Sequence, residues 1–186
     1  TSGHLVGGVL AAILLGPSGA VLAMSSVIIL QCLLFADGGV TALGANLFNM
    51  AILAPVAGFA VYQAIYGLFG KSLRSRLTAT AFAAWCSIVI ASVACAAELA
   101  LSNTVDWRIA LPAMGGIHML IGIGEGMITA LVVVALAKTR PDLLDEIRYP
   151  NLQPRMRELL IYGMVISVGL VILVAPFASP WPDGLE

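Results

Sequence analysis

Long apolar stretches dominate this sequence and restrict what the chain can fold into. Two of them, residues 111–137 and 159–176, approach or exceed the roughly 20 residues that a helix needs to cross the hydrocarbon core of a bilayer. Of the 186 residues, 60% are hydrophobic and only 10% are charged, which is far from the composition of an ordinary soluble domain. We therefore predict an all-α fold, a polytopic transmembrane helical bundle.

Turns and charged loops divide the chain into about six membrane segments. In chain order these are segments A (5–15), B (18–35), C (44–70), D (77–102), E (111–137) and F (159–176). Segment A is stopped by Gly16-Pro17, and its length reaches only about halfway across a membrane. Because the sequence begins with Thr1 rather than Met, we expect a further helix upstream. We assign residues 1–178 to the bundle and residues 179–186 to the start of an extracytoplasmic tail.

Basic residues predict how the bundle is oriented. Eight of the nine Lys and Arg fall in two connections, residues 71–76 and 138–157, and the positive-inside rule places such connections in the cytoplasm. Segments A, C and E then run inward, whereas B, D and F run outward. This topology brings His4, Asp37 and Asn46 to the outer face.

Several function classes find no support in the sequence. The formal net charge of −1 provides no basic stripe for nucleic acid. The three cysteines, Cys32, Cys86 and Cys95, lie in apolar runs without CxxC spacing, so we interpret them as buried hydrophobes. Ser2 next to His4 lacks a third orienting group, and neither a GxSxG nor an HExxH pattern occurs. We expect a non-catalytic protein.

The first candidate site residue is His4, at the outer end of segment A. A neutral imidazole there can bind a soft-to-borderline divalent metal ion, and Ser2 before it can cap the helix. The alternative is that His4 is only a capping or interfacial residue.

The second candidate group lies at the outer end of segment C. Asn46, Asn49 and Met50 stand at positions i, i+3 and i+4, so a regular α-helix would place them on one face. Two amides and a thioether on that face could line a site. Alternatively, both asparagines hydrogen-bond the backbone of loops or neighbouring helices, as buried Asn commonly does in membranes.

The third candidate group lies in the glycine-rich part of segment E, where His118, Gly122 and Glu125 share one helical stripe. The rise from His118 to Glu125 is about 10 Å, which is too long for both to bind one ion. We therefore expect Glu125 to pair with a buried donor or to mark a polar path. Asp37 and Glu98 are expected at the interface, with a supporting role at the site as the alternative.

Four motifs, taken together and in order, resemble one known family over nearly the whole chain. This family is the substrate-binding membrane subunit of cobalt and nickel energy-coupling-factor transporters, CbiM/NikM. The residues Pro182-Asp183-Gly184-Leu185-Glu186 also resemble the start of the PDGLE segment found with this family. The four motifs are Thr1-Ser2-Gly3-His4-Leu5-Val6-Gly7-Gly8, Leu34-Phe35-Ala36-Asp37-Gly38-Gly39, Gly44-Ala45-Asn46 with Asn49-Met50, and Gly116-Ile117-His118 with Ile123-Gly124-Glu125-Gly126.

The resemblance implies a helical bundle in the cytoplasmic membrane of a bacterium or archaeon. It implies no cofactor, and Co²⁺ or Ni²⁺ as the transported substrate that is captured at the outer face. The expected partners are a transmembrane coupling subunit, two cytoplasmic ATPases that supply the energy, and a small accessory membrane subunit. The chain itself would hydrolyse nothing.

The resemblance also implies how the ion is held. In the family, a Met-His start and a second histidine build a nitrogen-rich, nearly square-planar site. His4 matches the second histidine, whereas the Met-His start is absent from this sequence. Five residues are expected to orient the ligands rather than to bind the ion. They are Asp37, Asn46, Asn49, His118 and Glu125.

Two other functions remain open at this stage. The chain could capture an organic, vitamin-type substrate in an apolar cavity lined by Trp85 and Trp107, within the same transporter architecture. It could also be a purely structural membrane subunit, in which His4 would have no role in uptake.

Overall fold

The computed structural model describes residues 7–35, 37, 39–70 and 72–144, which within these ranges form helices and no strand. A π-helical turn, Leu47–Leu53, joins the second helix to the third, and a short 3₁₀ turn, Pro141–Leu143, follows the last. His4, segment F, most of the 138–157 connection and the tail lie outside the described residues. The helices are α1 (Gly8–Phe35), α2 (Gly39–Asn46), α3 (Ala54–Phe69), α4 (Leu73–Leu101) and α5 (Trp107–Thr139).

Four stretches of the described chain are long and apolar enough to cross a membrane. Segments C, D and E each correspond to one of these stretches. In all three cases the observed stretch begins several residues before the predicted segment. Segments A and B instead fall within a single helical element, α1, so the described residues have four such stretches where five of the predicted segments lie. The four stretches are Gly8–Phe35, Gly39–Phe69, Leu73–Leu101 and Trp107–Thr139.

Side chains are distributed as expected for a bundle in lipid. Large apolar residues face outward, such as Leu101, which is 83% exposed, and Leu120, which is 72% exposed. The interior is built from small residues, with Ala79 and Ala83 fully buried and Ser87 only 2% exposed. Small residues let helices approach closely where lipid, rather than water, surrounds them. The all-α transmembrane fold is therefore confirmed.

The boundary predicted at Gly16-Pro17 is a real break inside α1. Gly16 has φ 77° and ψ 164°, a left-handed conformation that glycine adopts without steric penalty. Pro17 adds to the break because it lacks an N–H and disfavours a helical conformation in the residue before it. The two halves of α1 therefore do not form one straight helix.

The packing of α1 shows how far its first arm, Gly8–Leu15, departs from a straight path. Met24 and Ile28 share an apolar cluster with Ala51, as expected for antiparallel neighbours joined by the short turn after Phe35. If α1 were straight and Met24 lay level with Ala51, Gly8 would lie about 12 residues, or roughly 18 Å, past the level of Pro55 along the helix axis. Instead, a Cβ atom at Gly8 would lie 3.4 Å from Pro55 Cδ. The chain changes direction at the break.

Helices α4 and α5 form a close antiparallel pair. A Cβ atom on Gly126 would lie 2.7 Å from the carbonyl oxygen of Ala81, and one on Gly122 would lie 2.9 Å from Trp85 Cδ1. The indole N–H of Trp85 donates to the carbonyl of Met119 at 3.0 Å. Only glycine fits where the two backbones approach this closely, so Gly122 and Gly126 allow the two helices to pack.

The two basic connections meet at one end of the bundle. The guanidinium of Arg76 donates to the carbonyl of Leu144, just after α5, and to the hydroxyl of Tyr66 at 3.2 Å. It also stacks over the Tyr66 ring, 5.3 Å from the centroid. The predicted topology requires both connections on one side of the membrane, and this contact agrees with it. The assignment of this end to the cytoplasm stays a prediction.

Candidate functional site

The chain that follows His4 is tied to the bundle by a buried carboxylate. Glu125 on α5 is 3% exposed, and its Oε1 accepts a hydrogen bond from the backbone N–H of Gly7 at 2.7 Å. A hydrogen bond to an ionised carboxylate in low-dielectric surroundings is among the stronger ones. This contact agrees with the interpretation that Glu125 pairs with a buried donor.

Local structure explains why Glu125 is held in place. Gly122 and Gly126 on the same helix pack against the backbone of α4, which fixes the rotation of α5 about its axis. Gly7 has φ +64°, a conformation that other residues rarely adopt, and it turns the N–H toward α5. The first turn of α1 starts from the same residue, because Ala11 N–H donates to Gly7 O at 3.0 Å.

A second polar pair joins the π-helical turn to α4. Asn49 is 5% exposed, and its Nδ2 donates to Glu98 Oε2 at 2.9 Å. Asn49 Oδ1 is buried and has no hydrogen-bond partner among the described residues, which in a native structure requires an explanation. The sequence placed Glu98 at the interface, with a supporting role at the site as the alternative, but did not predict its contact with Asn49. Its position could have indicated this contact. Segments C and D are antiparallel neighbours, so their predicted outer ends, which carry Asn49 and Glu98, lie at the same end of the bundle.

The predicted grouping of Asn46, Asn49 and Met50 on one face is only partly right. The spacing argument assumes an α-helix, but residues 47–53 are π-helical, and the N–H of Ala54 bonds Asn49 O with i→i+5 spacing. Met50 packs against the Met24 cluster. The Asn46 side chain makes no hydrogen bond within the described part of the chain, so of the three only Asn49 contacts an acidic group.

His118 bonds to its own helix. Its Nδ1 lies 2.6 Å from the carbonyl oxygen of Met114, and a carbonyl only accepts, so Nδ1 carries the proton. In the neutral ring the lone pair is then on Nε2. Across residues 7–144 as described, no hydrogen bond or ion pair joins His118 to Asn49 or Glu125. Its role in orienting ligands stays a prediction.

The other predicted positions are also located. Asp37 is half-buried in the turn between α1 and α2, and its N–H donates to Gln31 O at 3.4 Å; a supporting role for it stays a prediction. Trp107 starts α5 and is 43% exposed, whereas Trp85 bonds Met119, about 18 Å further along that helix. The two tryptophans therefore line no common cavity.

The described residues do not by themselves build a metal site of the usual kind. Between residues 7 and 144, where described, no three His, Cys, Asp or Glu side chains cluster. A cavity of about 260 Å³ lies near Arg76, at the opposite end of α4 from Glu98. The metal-binding role of His4 falls outside the described residues and stays a prediction.

Comparison with known proteins decides the family. A family model described as the cobalt uptake substrate-specific transmembrane region, CbiM, matches residues 1–143. The chain belongs to the CbiM family. It is 44% identical over its full length to a protein of Archaeoglobus fulgidus named as a fused nickel transport protein, NikMN, and covers 60% of that relative.

Other CbiM relatives agree. The chain is 37% identical to the cobalt transport protein CbiM of Nostoc sp., over 69% of this chain and 51% of that protein. A crystal structure of a transition metal transporter matches with a TM-score of 0.69 at 35% identity, covering 74% of this chain and 65% of that one. This CbiM chain is thus a multi-pass membrane protein of a cobalt and nickel transport family, and it spans about half to two thirds of the length of these relatives.

Proposed function

We propose that this chain is the substrate-specific membrane component of an ATP-driven importer of the energy-coupling-factor type. It captures Co²⁺ or Ni²⁺ at the outer face of the cytoplasmic membrane and delivers the ion inward. A transmembrane coupling subunit and two cytoplasmic ATPases drive transport, with a small accessory membrane subunit as a further partner. The chain has no catalytic step of its own.

The hydrogen bond from Gly7 to Glu125 is the observation that best supports this proposal. An ionisable side chain inside a membrane bundle is costly and is a functional position by default. Here the buried carboxylate holds the backbone three residues after His4, the residue matched to a family ligand. A ligand-bearing segment needs such an anchor, because groups behind the ligands set their orientation and the affinity for the metal.

The ligand set gives the proposed site its selectivity. His4 would supply one imidazole nitrogen, and residues upstream of Thr1 would supply the other nitrogens. Four nitrogens in a plane favour Ni²⁺, Cu²⁺ or low-spin Co²⁺ over Zn²⁺, Mg²⁺ and Ca²⁺. Because histidine binds as neutral imidazole, not as imidazolium, and any backbone-amide ligand must lose its proton, affinity falls as pH is lowered.

Metal analysis of the purified protein with its upstream region included tests the proposal. We expect about one Ni²⁺ or Co²⁺ per wild-type molecule and loss of stoichiometric metal in His4→Ala. His118→Gln is the matched control, because it removes the other histidine; its stoichiometry should persist with affinity lowered by about 100-fold at most. Equal metal in wild type and His4→Ala overturns the assigned site.

Reconstitution with the coupling subunit and both ATPases tests transport. We expect ATP-dependent accumulation of radioactive nickel or cobalt in vesicles, abolished by His4→Ala. Unchanged accumulation in that variant would instead support a purely structural subunit.

A further inference from the structure

The Asn49–Glu98 pair has hydrogen-bond acceptor positions to which no described residue donates. One hydrogen bond joins Asn49 Nδ2 to Glu98 Oε2. Asn49 is 95% buried, and its Oδ1 has no partner in the part of the chain that the structure describes. No salt bridge to Glu98 is formed by the residues that the structure describes. The amide that donates to Glu98 thus carries an acceptor oxygen whose lone pairs no described residue uses.

We propose that Asn49 and Glu98 form a second cation site, which takes a partly hydrated divalent ion through oxygen ligands. Carboxylate and amide oxygens are the ligands that Mg²⁺ and Mn²⁺ prefer, and these ions retain several waters when the protein supplies one or two groups. Because the amide that carries Oδ1 contacts the Glu98 carboxylate through Nδ2, a rotation of either side chain would bring one oxygen of each to the same ion. The ion would also satisfy the orphaned Oδ1.

The location of the pair suits an ion that arrives from water. Glu98 is half-buried and lies three residues before the end of α4 at Leu101, so the bundle end is near. Asn49 sits in the π-helical turn, a geometry that is frequent at functional sites. The proposed ligands differ from that of the predicted nitrogen site, because His4 is not among them, and two protein ligands predict weak binding.

Titration with Mn²⁺ tests the inference, because Mn²⁺ prefers oxygen to planar nitrogen ligands. Full-length protein carrying one equivalent of Ni²⁺ is titrated while free Mn²⁺ is followed by electron paramagnetic resonance. We expect one saturable Mn²⁺ in wild type. Glu98→Gln, which keeps an acceptor for the Asn49 amide, should weaken it at least about tenfold, and Asn49→Asp should strengthen it by a similar factor because a charged ligand is added.

Two further variants make the result decisive. Asp106→Asn removes a carboxylate from the loop beside the same end of α4, and Asn caps a helix as well as Asp, so Mn²⁺ binding should not change. His4→Ala should also leave it unchanged, even if nickel binding is lost, which separates this inference from the proposed function. Equal loss in Glu98→Gln and Asp106→Asn, loss in His4→Ala, or no saturable Mn²⁺ in wild type would each overturn the site.

Discussion

Glu125 and Glu98 are the same residue type in neighbouring helices of one bundle, yet their surroundings differ. Glu125 is 3% exposed and accepts a backbone N–H from a distant part of the chain. Glu98 is half-buried near a helix end, and its partner is an amide whose oxygen bonds to no residue between 7 and 144 that the structure describes. The first arrangement holds a segment in place, whereas the second leaves ligand capacity free. A buried carboxylate in a membrane protein therefore has to be interpreted from its partners.

The largest effect is expected from Glu125→Leu. Removing the acceptor leaves the Gly7 N–H unpaired, which costs about 1–3 kcal/mol, and releases the segment that carries His4. Nickel affinity of the full-length protein should fall about 10–100-fold, whereas Glu98→Gln should leave it unchanged. Nickel titration of both variants measures this difference in affinity. Glu125→Gln keeps an acceptor, so its nickel affinity should lie between those of Glu125→Leu and Glu98→Gln. Equal nickel affinities for Glu125→Leu and Glu98→Gln would remove the distinction.

The next effect tests whether helix packing positions Glu125. In Gly126→Ala the new Cβ would meet the Ala81 carbonyl oxygen at 2.7 Å, and backbone cannot yield as a side chain can. We expect destabilisation of about 1–3 kcal/mol, measured by thermal unfolding in detergent. Gly124→Ala is the matched control, because no atom lies within 4 Å of its Cβ position. Similar unfolding temperatures for the two variants would show that the close approach is not required.

A smaller change in stability is expected from removing the Asn49–Glu98 pair. Asn49→Leu alone leaves Glu98 without its donor, but adding Glu98→Leu removes both partners at once. Replacing both members of a hydrogen-bonded pair with apolar groups is nearly neutral in many cases, so the double variant should unfold within about 1 kcal/mol of wild type. A double variant as unstable as Glu125→Leu would mean that Glu98 also has a structural role.

The smallest change in unfolding temperature is expected at the solvent-exposed pair of Arg140 and Asp142. Arg140 donates to Asp142 through Nε and Nη2, and this bond raises the pKa of Arg140, but both side chains are more than half exposed. Exposed pairs contribute little because water and salt screen them. Arg140→Gln should not change the unfolding temperature measurably, while Arg76→Gln, which loses the bonds to Tyr66 and Leu144, should lower it.

Hydropathy predicted the membrane stretches within the described residues well, because crossing a bilayer demands a length of apolar residues that few other structures need. The helix starts were less accurate: Ser72 caps α4 and Asp106 caps α5, several residues before the apolar runs at which we expected segments D and E to begin. The break at Gly16 could be predicted because Gly-Pro has a specific backbone meaning.

The details of the candidate sites were harder to predict. Nothing in the apolar run 47–53 signals a π-helical turn, so the face assigned to Asn46 and Asn49 assumed the wrong helix period. Glu125 could be expected to have a buried donor, but only the fold identifies that donor as Gly7. The Nδ1 bond of His118 to Met114 depends on a side-chain rotamer, which sequence does not specify.

The break at Gly16 lets one helical element contribute to two separate apolar clusters. Val9, on the short arm before the break, belongs to the same buried cluster as Tyr62. Met24, on the longer half, packs in a second cluster with Ala51. Because a glycine with positive φ redirects the chain between the two halves, α1 reaches both clusters without an intervening loop.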